Sequence, residues 1–505
     1  MNQRAGGILL PVFSLPGRYG IGCFSKEAYA FVDFLKKAGQ KYWQILPIGP
    51  TSYGDSPYQS FSTFAGNPYF IDLEALIREG LLSREECDRL LPVKREDDID
   101  YGQLYQSRFE LLYRAYQKSS FKSDPSYQKF LAKNSEWLPD YALFMALKDA
   151  AGGKSFYEWD KPLVHREGNA LSAARKEHAD RIDFYQFLQY EFSLQWTKLK
   201  DYANAQGISI IGDIPIYVAE DSADVWASPQ LFQMDADGRP SGVAGCPPDG
   251  FSATGQRWGN PLYDWEYHEK TGFSWWIRRI RRCRELYDVI RIDHFRGFDE
   301  YYAIPSSEQT AINGKWMPGP GMKLFSAIRK ELGQVPIIAE DLGFMTDTVR
   351  KLVKDSGYPN MKVLEFAFDG RNLDESGNAV SSSNEYLPHF YDKNCVVYTG
   401  THDNETVMGW LGSIRPQEKS EAREYLGLSR FASDRTIAKR LVRLAVSSTA
   451  NTCVIPMQDY LLLDNRARIN TPSTLGGNWR WRLKKRQLSD RLAESICHQS
   501  ALFGR

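Results

Sequence analysis

The chain has 505 residues, 42% of them apolar and 25% charged, an ordinary folded composition with room for a barrel of about 250 residues and large insertions. Lys plus Arg and Asp plus Glu number 63 each, and without a basic excess or patch a nucleic-acid ligand is disfavoured while a neutral one such as a sugar is accommodated. Seven scattered cysteines with no CxxC spacing read as reduced thiols of a cytoplasmic protein, and no apolar run nears the about 18 residues of a membrane span.

Residues 8–12 form a short apolar patch that Pro11 and Pro16 interrupt, which does not make a signal peptide. A helix follows, capped by Ser25 and closed by Gly39, with Phe31, Phe34 and Leu35 on its buried face. The first predicted strand is 42–46 and a weaker second is 69–73. Residues 83–180 are charged and helical in pattern with no strand signal, and read as a helical insertion. An amphipathic helix capped by Asp183 and stopped near Gly207 leads into a third strand at 208–211. Residues 219–272, rich in Gly, Pro, Asp and aromatics, read as a loop-rich insertion over the strand ends; Trp226, Trp258, Tyr263, Trp265 and Tyr267 argue against disorder there. Five more β-branched runs follow at 289–292, 336–339, 361–366, 395–398 and 452–457. Eight buried strands with helices between them predict an α/β fold, a (β/α)8 TIM barrel in one domain over 1–505, with its insertions at the C-terminal face. An open doubly wound sheet fits the same pattern.

Barrel enzymes draw catalytic groups from the C-terminal ends of different strands. Four such ends carry a carboxylate here: Asp213, Asp293, Glu340 and Asp403. One acid after a strand usually just faces water. Four on one rim repel one another, and need cations or a function that uses the charge. Arg291 and His402, two and one residues before acids of the set, are the natural partners. Glycoside chemistry uses such equipment: one carboxylate attacks the anomeric carbon, and a carboxylic acid protonates the leaving oxygen.

The segments 212–218 (GDIPIYV), 291–297 (RIDHFRG), 339–343 (AEDLG) and 399–404 (TGTHDN) resemble those of amylomaltases, also called 4-α-glucanotransferases or disproportionating enzymes. So do 56–60 (SPYQS), 66–69 (GNPY), 470–472 (NTP) and 477–482 (GNWRWR). The resemblance runs from Leu10 to Leu483, and the order and spacing of the motifs are more specific than any one alone. It implies a compact barrel without the C-terminal β-sandwich of α-amylases, acting on α-1,4-glucan donors with glucose or maltooligosaccharide acceptors. It also implies roles: Asp293 as nucleophile, Glu340 as acid and then base, and Asp403 as a ligand of the distorted ring. Arg291 orients Asp293; His402, Asp213 and Asn470 complete the subsite; Tyr58 stacks on the sugar.

Several residues carry a second reading. Asp213 also reads as a structural partner of Arg291, and Trp258, between Gly255 and Gly259, either stacks on a sugar or plugs the loop. His294 is expected on the far face of its strand as a satisfied core histidine, and Trp479 and Trp481 as packing residues. Seven histidines without HExxH or a cysteine cluster indicate no metal site, and 17–22 fails GxGxxG, so no cofactor is expected. Hydrolysis is the rival reaction; an aromatic loop able to exclude water favours transfer. A non-catalytic glucan-binding barrel would need neither a nucleophile nor a proton donor.

Overall fold

In the computed structural model, which describes residues 3–505 apart from 53, 249–251, 344, 371, 373 and 375–382, twelve strands alternate with helices. Eight are parallel and form one sheet: β1 (Ala5–Leu9), β2 (Tyr42–Gln44), β3 (Ser209–Pro215), β6 (Val289–Asp293), β9 (Ile337–Ala339), β10 (Asn360–Val363), β11 (Cys395–Tyr398) and β12 (Thr452–Pro456). Their order is β10-β11-β12-β1-β2-β3-β6-β9. The Ala339 N–H donates to the Pro359 carbonyl at 3.0 Å, bringing the two edges together. The result is the (β/α)8 barrel. Alternation divides each strand between two packed layers. Leu9, Ile211, Ile338, Met361, Val396 and Val454 fill the inside, while Ile8, Trp43, Ile210, Ile290 and Ile337 face the helices.

The count of eight is right, but one expected strand is not. Residues 69–73 form no strand. Asn67 accepts from the Tyr69 N–H with Pro68 in the first helical position, which makes a 3-10 turn at Pro68–Phe70, and Asp72 then caps the helix Leu73–Arg78. The missing strand is β1, inside the stretch whose Gly6-Gly7 pair hid its β character. Those glycines are small for a reason. A Cβ on Gly7 would lie 2.7 Å from the Tyr42 Cβ, and one on Gly6 would lie 2.6 Å from Gln40 Oε1.

Ser25 caps the first helix, Lys26–Lys37, and Gly39 leaves it in the left-handed conformation. Asp183 caps nothing. The long helix runs Ala179–Ala205 with Asp180 in its first turn, where the helix dipole favours an acid, and Asp183 pairs with Lys122 inside it. Between β2 and β3 the chain makes further helices, among them Arg84–Leu90, Phe109–Lys118, Pro125–Lys133 and Leu138–Ala150. The stretch read as a long loop holds more regular structure than its composition indicates. β4 (Gly242–Cys246) and β5 (Gln256–Pro261) join β7 (Glu300–Pro305) and β8 (Lys315–Pro318) in an antiparallel sheet of order β5-β4-β7-β8. Residues 249–251 of that stretch lie outside the described residues. After β12 the described chain continues in the short helix Met457–Tyr460, turns and the helix Asp490–Leu502. Among the described residues no helix is long and apolar enough to cross a membrane.

Candidate active site

Four strands of the barrel deliver the acids to one rim. Asp213 lies in β3 and Asp293 ends β6; Glu340 follows β9 and Asp403 follows β11. Parallel register sets Asp213 beside Arg291, and the two meet side to side. Arg291 Nη1 donates to Asp213 Oδ1 at 2.8 Å and Oδ2 at 2.6 Å. Its other terminal nitrogen lies 3.0 Å from Asp293 Oδ1. Burial opposes the Arg291 charge, but Asp213 and Asp293 more than offset it and hold the guanidinium charged. Met361 Sδ occupies the Nε side at 3.3 Å. One buried cation therefore serves two acids. Asp213 is fully buried beneath it, while Asp293 keeps 29% of its side chain exposed.

Glu340 stands in a different setting. It is 8% exposed, and burial, then the Asp293 charge, push its carboxyl up to about 8. The Leu342 N–H reaches Oε1 at 2.7 Å and the His294 N–H reaches Oε2 at 2.6 Å. The second bond depends on the backbone. His294 has φ 56°, a left-handed conformation that costs a non-glycine residue about 1 kcal/mol. It turns the chain out of β6 and aims its N–H at Glu340. The acid on β9 is thus tied to the residue after Asp293.

The same turn overturns the expected place of His294. Alternation ends at Asp293, and the buried imidazole packs on the small sheet instead. It lies edge-on to Trp258, with ring centres 4.8 Å apart and planes at 86°. Its Nε2 is buried without a hydrogen-bond partner, and burial lowers the ring to about 4, so it is neutral near pH 7. Trp258 itself sits in β5, half-buried, with left-handed Gly255 and Gly259 on either side.

Asp403 completes the rim. Its Oδ1 accepts from Asn470 Nδ2 at 2.7 Å and lies 3.3 Å from His402 Nε2. Arg468 donates to the Asp403 carbonyl and to that of Asn470, both at 2.7 Å. His402 in turn lies flat against Tyr58, with centres 5.1 Å apart and planes at 15°, and the Tyr58 hydroxyl donates to Asp213 Oδ2 at 2.9 Å. Trp479 packs behind both rings.

All nine expected site residues therefore belong to one continuous group. Arg468, the His294 N–H and Leu342 were not foreseen. Arg468 stands in a stretch without a motif, and a backbone donor leaves no trace in the sequence. Among the described residues no group of His, Cys, Asp and Glu could hold a metal ion.

A profile described as 4-alpha-glucanotransferase matches residues 10–488. The chain belongs to the 4-alpha-glucanotransferase family. The 4-alpha-glucanotransferase of Clostridium butyricum is 49% identical over 98% of this chain and 99% of its own. That of Thermus thermophilus is 48% identical over 96% of each. An amylomaltase from Streptococcus agalactiae, solved in complex with acarbose, superposes with a TM-score of 0.94 at 40% identity and full coverage of both chains. The amylomaltase from Corynebacterium glutamicum, at 18% identity and a TM-score of 0.77 over 99% of this chain and 75% of its own, shares the fold. The reaction class of this family is transfer of a 4-α-glucan segment.

Proposed function

We propose that the chain is a retaining 4-α-glucanotransferase in which Asp293 and Glu340 perform a double displacement on α-1,4-glucans. One observation carries the mechanism. Two carboxyl groups on adjacent strands have opposite surroundings: Asp293 lies on the Arg291 cation, and Glu340 is buried and pushed up to about 8. Such divergence separates nucleophile from acid. An Asp293 oxygen attacks the anomeric carbon as the bond to the leaving O4 breaks, and the Glu340 proton passes to that oxygen. In the return step an acceptor 4-hydroxyl attacks, its proton goes to Glu340, and Asp293 leaves as carboxylate. Asp403, oriented by Asn470 and His402, hydrogen-bonds the sugar hydroxyls, and Tyr58 offers its ring next to Asp403.

Donors are maltooligosaccharides, starch or glycogen, and acceptors are glucose or maltooligosaccharides; the acarbose complex of the relative agrees with a site built for α-glucosidic ligands. Trp258 reads as part of the acceptor side, because it lies against the residue following Asp293. Seven cysteines in no disulfide, five of them buried, fit a cytoplasmic location. Incubating the protein with maltotriose and separating the products tests the reading. A ladder of longer maltooligosaccharides plus glucose is expected; maltose and glucose alone would make it a hydrolase and overturn transfer.

A further inference from the structure

Three neighbouring strands each send a carboxyl to the same rim sector: Glu365 after β10, Asp403 after β11 and Asp459 after β12. Only Asp403 has an obvious task. The other two are 5% and 2% exposed, and they flank residues 399–407, the stretch that carries His402 and Asp403. Asp459 binds both ends of it, accepting from Thr399 Oγ1 and from the Val407 N–H at 2.9 Å. Glu365 binds the middle. Its own N–H donates to the Thr399 carbonyl at 3.2 Å, and the Asn404 side chain is among the groups that act on its carboxyl. The Asn404 Oδ1 in turn accepts from the Thr401 N–H and hydroxyl at 2.9 and 2.8 Å. Glu365 Oε1 is buried without a partner. It lies so close under Gly400 that a Cβ there would come within 3.1 Å of it.

A buried carboxylate needs donors in proportion to its lone pairs. Asp459 has two and holds at about 6, raised by burial and relieved by Thr399 and Val407. Glu365 keeps an orphaned oxygen. The groups that face it are Asp459 and Glu405, both of which oppose a negative charge, and Arg468, which favours one; burial and these acids raise it well above the usual range. Arg468 is also the cation that holds the Asp403 carbonyl. A charge on Glu365 would repel Asp459 and draw Arg468 away from Asp403.

We propose that Glu365 is a positioning residue, a neutral carboxylic acid that keeps residues 399–407 seated so that Asp403 and His402 face the reacting sugar. The proposal rests on the reading of Asp403 as a substrate ligand. Glu365→Gln keeps the shape without the titratable proton; Glu365→Ala removes the wedge under Gly400. With maltotriose near pH 6, the Gln variant keeps kcat within about twofold, whereas the Ala variant loses about 10- to 100-fold, the scale of a site displaced by about an ångström. Calorimetry supplies a second arm. A carboxyl raised in the folded state binds more protons folded than unfolded, so it weakens the fold as pH rises above the ordinary carboxylate range. The melting temperature of Glu365→Gln therefore gains on wild type steadily from about pH 5 to pH 8.5. Equal kcat loss in both variants, full activity in Glu365→Ala, or a pH-independent gap would each overturn the proposal. Asp403→Asn run alongside separates the two readings. If it keeps wild-type kcat, the role of Asp403 falls, and with it the kinetic part, while the melting arm still decides whether Glu365 is held neutral.

Discussion

Asp293 and Glu340 differ less in chemistry than in surroundings, and their tests follow from those surroundings. Asp293→Asn keeps the shape and the contact with Arg291 but cannot attack carbon. Transfer should fall by about 10⁴ or more, the scale of removing a covalent catalyst, with an unchanged circular dichroism spectrum. Near-normal turnover in the purified variant would end the assignment. Glu340 must carry a proton to serve as acid, and it holds that proton up to about 8. The alkaline limb of kcat/KM should therefore bend near pH 8 in wild type, far above an ordinary glutamate. A limb near pH 5 would show that Glu340 is not the proton donor.

At the scale of elements, the site depends on how closely strands and loops approach. Gly212, next to Asp213 in β3, has the Tyr287 ring against it: a Cβ would lie 2.1 Å from the ring carbon. Gly212→Ala must displace either β3 or Tyr287, and a loss of about 1–3 kcal/mol by urea unfolding is expected for such overpacking. Activity should fall in parallel, since Asp213 and Arg291 move with the strand. The small sheet offers a second test. Trp258 on β5 is pinned by His294, one residue from Asp293. Trp258→Ala should raise the ratio of hydrolysis to transfer on maltotriose, with acceptor affinity weaker by on the order of 1–3 kcal/mol, the scale of one stacked ring. An unchanged ratio with unchanged acceptor dependence would make Trp258 a packing residue.

Across the whole molecule, buried acids set how stability depends on pH. Burial raises Glu340 to about 8, Glu191 to about 7, and Asp224 and Asp459 to about 6. Each binds more protons folded than unfolded above the ordinary carboxylate range, so each weakens the fold as pH climbs toward its raised value. Glu385, between Arg350 and Lys362, is lowered to about 2 despite its burial and works in the other direction, losing its contribution only in acid. The ligand-free protein should melt highest near about pH 5 and fall by on the order of a few kcal/mol by about pH 8. A melting temperature that rises through this interval in calorimetry would contradict the burial of these groups.

Sequence alone determined what local chemistry can write. Strand ends followed by acids, Arg291 two residues before Asp293, and Ser25 and Gly39 bounding a helix are short-range patterns, and period-two burial makes them readable. Motif order carried the family, and through it the roles of residues that spacing could not tell apart. Tertiary structure decided the rest. β1 stayed hidden because its glycines answer to Gln40 and Tyr42, which reach it only in the folded barrel. The antiparallel sheet stayed hidden because β4 pairs with β7 across the whole of β6. His294 left its strand because one left-handed residue ended the alternation. The different surroundings of Asp293 and Glu340 come from strands brought together by the barrel, since burial, a shared cation and an aimed N–H are properties of neighbours in space.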